Sequence, residues 1–205
     1  MIQIPILLLA AGQSSRMRGA DKLMQEIDGI PLLRRSASTA MASGPVMVAL
    51  PPRPHPRYEA LSGLNVQIAP IPDAAEGMNA SLRGALALVS LDAPAAMIML
   101  ADLPDLTPDD LKAVLRARER NPDHLIWRGA TQSGKPGHPV LFDQSLFATL
   151  SKLTGDTGAQ SVIRSNGARL CLVPLPGRNA LYDLDTPEDW ANWREGRDGN
   201  TLPPE

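Results

Sequence analysis

The chain has 205 residues, 43% of them hydrophobic, and a formal net charge of −2. That length supports one well-packed domain, and the near-neutral charge offers no basic surface for nucleic acid as the main partner. The single cysteine, Cys171, excludes an internal disulfide framework and any multi-cysteine metal site.

In chain order, "IPILLLAAG" comes first. No basic residue precedes it and it is too short to span a membrane, so it reads as a buried first strand of a cytoplasmic protein with no membrane partner. After a loop, "PLLRRSASTAMASG" places Leu32, Leu33, Ala37, Ala40 and Met41 on one helical face, with Gly44 expected as a left-handed stop. "VMVAL" and "NVQIA" read as the second and third strands, and the proline cluster "LPPRPHPRY" (51–56 at its heart) as a loop within the domain. The small-residue helix "GMNASLRGALALV" can pack closely on a sheet, and "AAMIML" is the next buried strand, followed by a helix over 107–120.

Then come "HLIW", "HPVLF", a helix in "DQSLFATLSKL", a short helix near 158–165, "ARLCLVPL" and a closing helix from 187. Strands alternating with helices predict a parallel sheet covered on both faces. Cys171, inside an apolar strand-like run, is expected to be a buried, inert thiol. The polar, Pro/Gly-rich end over 196–205 reads as a flexible tail after a domain over 1–195.

Such a sheet binds ligands at the carboxyl ends of its strands, where the strand order reverses. The loop after the first strand, "LLLAAGQSSRMRGADKL", combines small residues with Arg16 and Lys22. Small residues let the backbone approach a phosphate, and the two cations suit a polyphosphate. The loop lacks G-x-G-x-x-G, which argues against a dinucleotide-dependent oxidoreductase, and Lys22 is followed by Leu23, so it is no Walker loop. On spacing alone, an ordinary loop with solvated Arg and Lys stays open.

Two later strand ends deliver carboxylates, Asp102 in "MLADLPDLTPDDL" and Asp185 in "LYDLDTPEDW". Both precede the same helix start, in which Thr107 and Thr186 read as N-caps and Asp110 and Asp189 as their reciprocal partners. Asp105 and Asp183 are assigned to the solvation of loop ends. Asp102 and Asp185 are assigned to Mg²⁺, which takes one or two carboxylates together with substrate phosphates. The Gly-rich turns "SGKPGHPVLF" and "LTGDTGAQS" could meet a second substrate through backbone amides. His138 alone reads as a structural hydrogen-bonder, and with His55 and His124 it shows no metal-ligand spacing, so zinc is not expected.

Six segments, "LLLAAGQSSRMRGADKL", "GMNASLRGAL", "MLADLPDLTPDDL", "GKPGHPVLF", "GDTGAQSVIR" and "DLDTPEDW", occur in an order that resembles the molybdenum cofactor nucleotidyltransferases, most closely the cytidylyltransferases. The resemblance covers residue 7 to about 190. It implies a three-layer, Rossmann-like α/β nucleotidyltransferase fold with a mostly parallel central sheet. It implies a nucleotide-binding half over about 1–105 and an acceptor-binding half over about 106–195. The implied reaction is Mg²⁺-dependent transfer of CMP from CTP, or of another nucleotide, to the terminal phosphate of a molybdopterin-type cofactor, with pyrophosphate released. A molybdenum hydroxylase is then the implied recipient.

Carried over by position, Leu9, Ala10, Ala11, Gly12, Ser14, Arg16 and Lys22 fall in the nucleotide loop, and Ser81 in the segment that closes over the base. Asp102 and Asp185 fall on the metal; Gly137, His138 and Asp156 fall on the acceptor side. Arg16, Lys22 and Asp102 are the implied catalytic residues. Ala11, in "LAAG", accompanies cytidine users, whereas guanylyl relatives carry "LAGG". The six-residue step from Arg16 to Lys22 is one longer than cytidylyl relatives commonly have, and Gln160 stands where relatives often have arginine. A guanylyltransferase for the same cofactor, a sugar- or alcohol-phosphate nucleotidyltransferase, and a non-enzymatic cofactor carrier are the competing readings. The last has no use for Asp102, Asp185 and Lys22.

Overall fold

The computed structural model describes residues 3–155 and 157–198. β1 (Ile6–Leu9) leads into a loop with two short 3-10 turns, Ser15–Met17 and Lys22–Met24. A small antiparallel ribbon of β2 (Glu26–Ile27) and β3 (Ile30–Pro31) precedes α1 (Leu32–Met41). The first half continues with β4 (Val46–Leu50), α2 (Arg57–Ala60), β5 (Gln67–Pro70), α3 (Met78–Leu86) and β6 (Ala95–Leu100). The second half comprises α4 (Pro108–Arg120), β7 (Ile126–Ala130), β8 (Pro136–Asp143), α5 (Phe147–Leu150), α6 (Gln160–Ser165), β9 (Leu170–Pro174) and α7 (Pro187–Asp198).

Seven strands form one sheet in the order β5-β4-β1-β6-β8-β7-β9. β1 pairs in parallel with β4 (Ile6 opposite Val46) and with β6 (Ile6 opposite Met97). β1 therefore runs buried on both faces, which is why it can be an unbroken apolar run. Ile6, Leu8 and Ala10 point into one core with α1, α4 and α7; Leu7, Leu9 and Ala11 point into a second core with α3, α5 and α6. The fold is α/β with a mostly parallel sheet, as the alternation of elements predicts. From β1 the chain winds outward to β4 and β5, then returns to place β6 on the other side of β1. The loops after β1 and β6 thus diverge, and the crevice between them is where such sheets take ligands.

Four details depart from the sequence reading. β8 is antiparallel to both β6 and β7, since the short link from Ala130 to Pro136 permits only a hairpin. Gly44 is not left-handed: α1 ends at Met41, and a Cβ at Gly44 would lie 2.6 Å from the Ile4 carbonyl oxygen, so close backbone approach explains this glycine. Cys171 is half-buried rather than buried, because β9 is the sheet edge, although burial still pushes its thiol up. α7 runs through Asp198, into the stretch expected to be tail, and the rest of that stretch lies outside the described residues. Among the described residues no helix is long and apolar enough to cross a membrane.

Both expected capping boxes form. Thr107 and Asp110 bond reciprocally at the start of α4, and Thr186 and Asp189 do the same before α7. Asn179 adds a 2.9 Å bond to Asp110, and the Leu184 amide donates to the Asp102 carbonyl at 3.0 Å. The second contact brings Asp185, one residue on, to the end of β6.

Candidate active site

The loop after β1 is held in a strained, self-bonded shape. Ser14 and Arg18 are left-handed at φ 53° and 52°, and Gly19 has φ 93°. Met17 and Leu23 are buried and pin the loop to the core. Ser14 Oγ accepts from the Lys22 amide at 3.2 Å, and Asp21 caps the second turn through the Leu23 amide at 3.0 Å. Beside the loop lies a cavity of about 580 Å³ lined by Ala11 to Ser15, the proline segment with Pro51, Pro52 and His55, and Ala74 and Ala75. A Cβ on Gly12 would meet nothing within 4 Å, so that stretch of backbone borders open space. Ala10 and Ala11 are buried in opposite cores, and Ala11 alone of the two borders the cavity. The proline loop is thus a wall of the site.

Arg57, which the sequence reading passed over, holds this loop from beneath. It is 1% exposed; Nε and Nη2 bond the two Asp21 oxygens at 2.8 and 2.7 Å, and Nη1 donates to the Ala10 carbonyl at 2.6 Å. Nη2 also reaches Ser14 Oγ at 3.2 Å. Burial raises the Asp21 carboxyl, but the Arg57 hydrogen bond and charge outweigh it and leave the group below its ordinary value. Nothing in the sequence around Arg57, at the end of a proline-rich loop, marks it as a clamp.

Arg16, Lys22, Asp102 and Asp185 come together at the mouth of the crevice. Lys22 Nζ lies between the carboxylates, 2.5 Å from Asp102 Oδ2 and 2.6 Å from Asp185 Oδ1. Arg16 Nη2 is 2.7 Å from Asp185 Oδ2 and its side chain is 67% exposed. Burial works against the Lys22 ammonium, yet Asp102 and Asp185 outweigh it and raise its pKa. Burial likewise raises Asp185, while Lys22 and then Arg16 pull it below the ordinary carboxylate range. Asp183 belongs to this cluster too: burial, with the charges of Asp102 and Asp185 adding to it, pushes its carboxyl up. It does more than solvate a loop. Asp105 also differs from expectation, accepting the Trp193 indole N–H at 2.9 Å.

Asp102 and Asp185 suit a hard divalent cation. A positive group already sits where they converge, and Asp102 Oδ1 is buried with no hydrogen-bond partner. Among the described residues no group of three or more His, Cys, Asp or Glu could form an all-protein metal cage. The two carboxylates instead fit an ion that keeps waters and shares substrate oxygens.

The acceptor-side candidates fall elsewhere. His138 lines a second cavity of about 120 Å³, together with Leu9, Arg128 and Gln160. Burial, then the charge of Arg128, pushes His138 down to about 4, with Asp102 opposing, so its imidazole is neutral at physiological pH. Gly137 has a structural reason: a Cβ there would lie 1.9 Å from the Ala180 carbonyl oxygen. Ser81 is buried in α3 and does not line the wider cavity, and Leu9 faces the smaller cavity. Asp156 lies outside the described residues.

Residues 6–170 match the family model described as the MobA-like NTP transferase domain. A protein of Natronomonas pharaonis named "probable molybdenum cofactor guanylyltransferase" is 33% identical over 92% of this chain and 95% of its own length. A protein of the same name from Synechococcus elongatus is 31% identical over 89% and 94%. The crystal structure of Rv0371c from Mycobacterium tuberculosis superposes with a TM-score of 0.79 at 27% identity, over 94% of this chain and 98% of that one. The same protein has been solved in complex with manganese, with a TM-score of 0.76 at 25% identity, over 92% and 96% of the two chains.

Proposed function

The chain belongs to the MobA-like NTP transferase family, and within it we propose a molybdenum cofactor cytidylyltransferase, joining CMP from CTP to the terminal phosphate of a molybdopterin-type cofactor. The observation that carries this reading is the cluster in which Lys22 and Arg16, from the loop after β1, meet Asp102 and Asp185. Cations for a polyphosphate and carboxylates for a divalent ion meet at one point, as nucleotidyl transfer needs. The names of the two relatives support the molybdenum cofactor as acceptor.

An oxygen of the acceptor phosphate attacks the α-phosphorus in line, and the bond to the β-phosphate breaks with its electron pair leaving on pyrophosphate. No side-chain nucleophile takes part, and no general base is required, because the attacking phosphate is already ionised. Catalysis of this kind is positioning and charge neutralisation. Arg16 and Lys22 offset the charge that builds on pyrophosphate. Asp102 and Asp185 would hold Mg²⁺, which supplies charge stabilisation at the reacting phosphates; the manganese complex of Rv0371c supports a divalent ion in this fold. The first half serves the nucleotide and the second the acceptor, the reaction belongs to the cytoplasm, and a molybdenum hydroxylase receives the product.

CTP is favoured by Ala11, which lines the loop cavity at the position where guanylyl relatives carry glycine. GTP is the second reading, favoured by the guanylyltransferase names of both relatives and by the longer step from Arg16 to Lys22. The test is pyrophosphate release with molybdopterin, Mg²⁺ and each NTP in parallel. Release above background with CTP is expected; failure of every NTP to give release defeats the transferase reading, and release with GTP alone gives the second reading the site.

A further inference from the structure

Among the described residues, no carboxylate accompanies the buried cation of Arg128. It stands in the middle of β7, 8% exposed, and its Nε donates to the Gly137 carbonyl at 2.8 Å. Among the described residues it forms no ion pair, and burial alone lowers its pKa. An uncompensated charge inside a fold is costly, and it is retained where its counter-charge arrives from outside. Tying the β7–β8 hairpin does not explain it, since any neutral donor could serve the Gly137 carbonyl.

What Arg128 borders points to that counter-charge. The lining of the cavity of about 120 Å³ is apolar in Leu9, Ile98 and Phe142 and polar in Arg128, His138, Thr157 and Gln160. It holds about four waters at ~30 Å³ each, enough for one small oxyanion. His138 adds a second unanswered group: its Nδ1 is buried and has no hydrogen-bond partner. A guanidinium fork matches the oxygens of a phosphate or carboxylate, and the neutral His138 ring, which also bonds the Ile98 backbone, borders the same cavity.

We propose that Arg128 and His138 form an oxyanion-binding subsite at the base of the acceptor side, where Arg128 anchors an anionic group of the acceptor substrate. The assignment of this cavity to the acceptor rests on the nucleotidyltransferase reading above. Phosphate and carboxylate share the chemistry that the fork recognises. A phosphate fits a molybdopterin-type acceptor, and a carboxylate would indicate a different acceptor class.

The experiment is a thermal-shift titration of the full chain with inorganic phosphate, with acetate and with CTP, on wild type, Arg128→Met and Arg128→Lys. Phosphate or acetate is expected to raise the wild-type Tm, with the apparent Kd weakened at least ten-fold in Arg128→Met. Arg128→Lys should fall between the two, because it keeps the charge and loses the fork. The CTP response should be equal in all three. Arg128→Met should itself melt at or above the wild-type Tm, since it removes an unpaired buried charge. If neither anion shifts the wild type, or if the anion response survives in Arg128→Met, the subsite is overturned. In the parallel turnover assay, Arg128→Met should raise the acceptor KM at least ten-fold with the CTP KM unchanged. Absence of pyrophosphate release with every NTP would defeat the transferase reading, while the anion titration, which needs no turnover, still decides the subsite.

Discussion

Arg57 and Asp21 lie 36 residues apart and meet through two parallel bonds of 2.8 and 2.7 Å beneath the loop that follows β1. The pair joins the proline wall to the loop floor, so the shape of the larger cavity depends on it. Replacing Arg57 by alanine strands the Asp21 carboxylate and frees the Ala10 carbonyl. Breaking a buried pair costs about 3–5 kcal/mol, and the lower end applies because the Asp21 side chain is 22% exposed. A lower Tm and at least a ten-fold higher nucleotide KM are expected, measured by calorimetry and by pyrophosphate release. An unchanged KM would show that the loop keeps its shape without the clamp.

The same pair sets a pH dependence. The Asp21 carboxyl lies below its unfolded value of 3.8, with Arg57 outweighing the cost of burial. A depressed carboxylate contributes stability that is fully present above the unfolded pKa and is lost as pH falls through the folded one. The difference in stability between wild type and Arg57→Ala should therefore be constant through neutral pH and shrink below about 3.8. Urea denaturation of both proteins from pH 7 to pH 3 checks it; a difference that vanishes already at pH 6 would assign the effect to another group.

Lys22→Ala removes the ammonium that separates Asp102 from Asp185. kcat/KM for the nucleotide should fall at least ten-fold, each charge-assisted contact being worth ~1.5–3 kcal/mol. Lys22 is the first of the groups that pull Asp185 down, so its loss raises that carboxyl. The acid limb of the pH–rate profile should move to higher pH in the variant. An unmoved limb would mean that Asp185 does not titrate in the reacting form.

Asp102→Ala should abolish turnover by more than about 10²-fold, since metal-assisted charge stabilisation is worth several kcal/mol. The fold should survive, because the Asp102 side chain stands at a strand end, and the Leu184 amide bonds its backbone carbonyl, which alanine keeps. Circular dichroism and pyrophosphate release together decide it. Near-normal activity in a folded variant would remove Asp102 from the metal.

Ala11→Gly tests the base. If the Ala11 methyl group narrows the nucleotide side, CTP should exceed GTP in kcat/KM by roughly 10²-fold in wild type, as expected where buried polar groups are left unpaired at ~1–3 kcal/mol each. The glycine variant should lose at least part of that ratio. Equal ratios in the two proteins would move base choice to another wall.

How much of this could be read beforehand depends on the distance over which each feature is built. The loop cations, the strand-end acids and both Thr–Asp caps are local patterns, and Thr107–Asp110 and Thr186–Asp189 formed as their spacing predicts. Arg57 and Arg128 depend on partners brought from elsewhere in the chain, or on the absence of one, so each looks like an ordinary charge in its own neighbourhood. Gly44 and Gly137 were legible as glycines with a purpose, but their reason is the approach of Ile4 and Ala180, which no local pattern contains. The antiparallel course of β8 was legible in principle: five residues between Ala130 and Pro136 cannot carry a crossover.

The pairing of β6 with β8 has a mechanical consequence. Met97 lies opposite Ile6 on one side and opposite Leu141 on the other, so a backbone ladder runs unbroken from β1, which feeds the loop with Arg16 and Lys22, to the strand that bears His138. A hinge between the two halves of the sheet would have to tear that ladder open. Any rearrangement that leaves the ladder intact is confined to the loops and side chains at the strand ends. Arg16, mostly exposed at the rim, and Lys22, suspended between two acids, have ion-pair partners that an anionic ligand could replace.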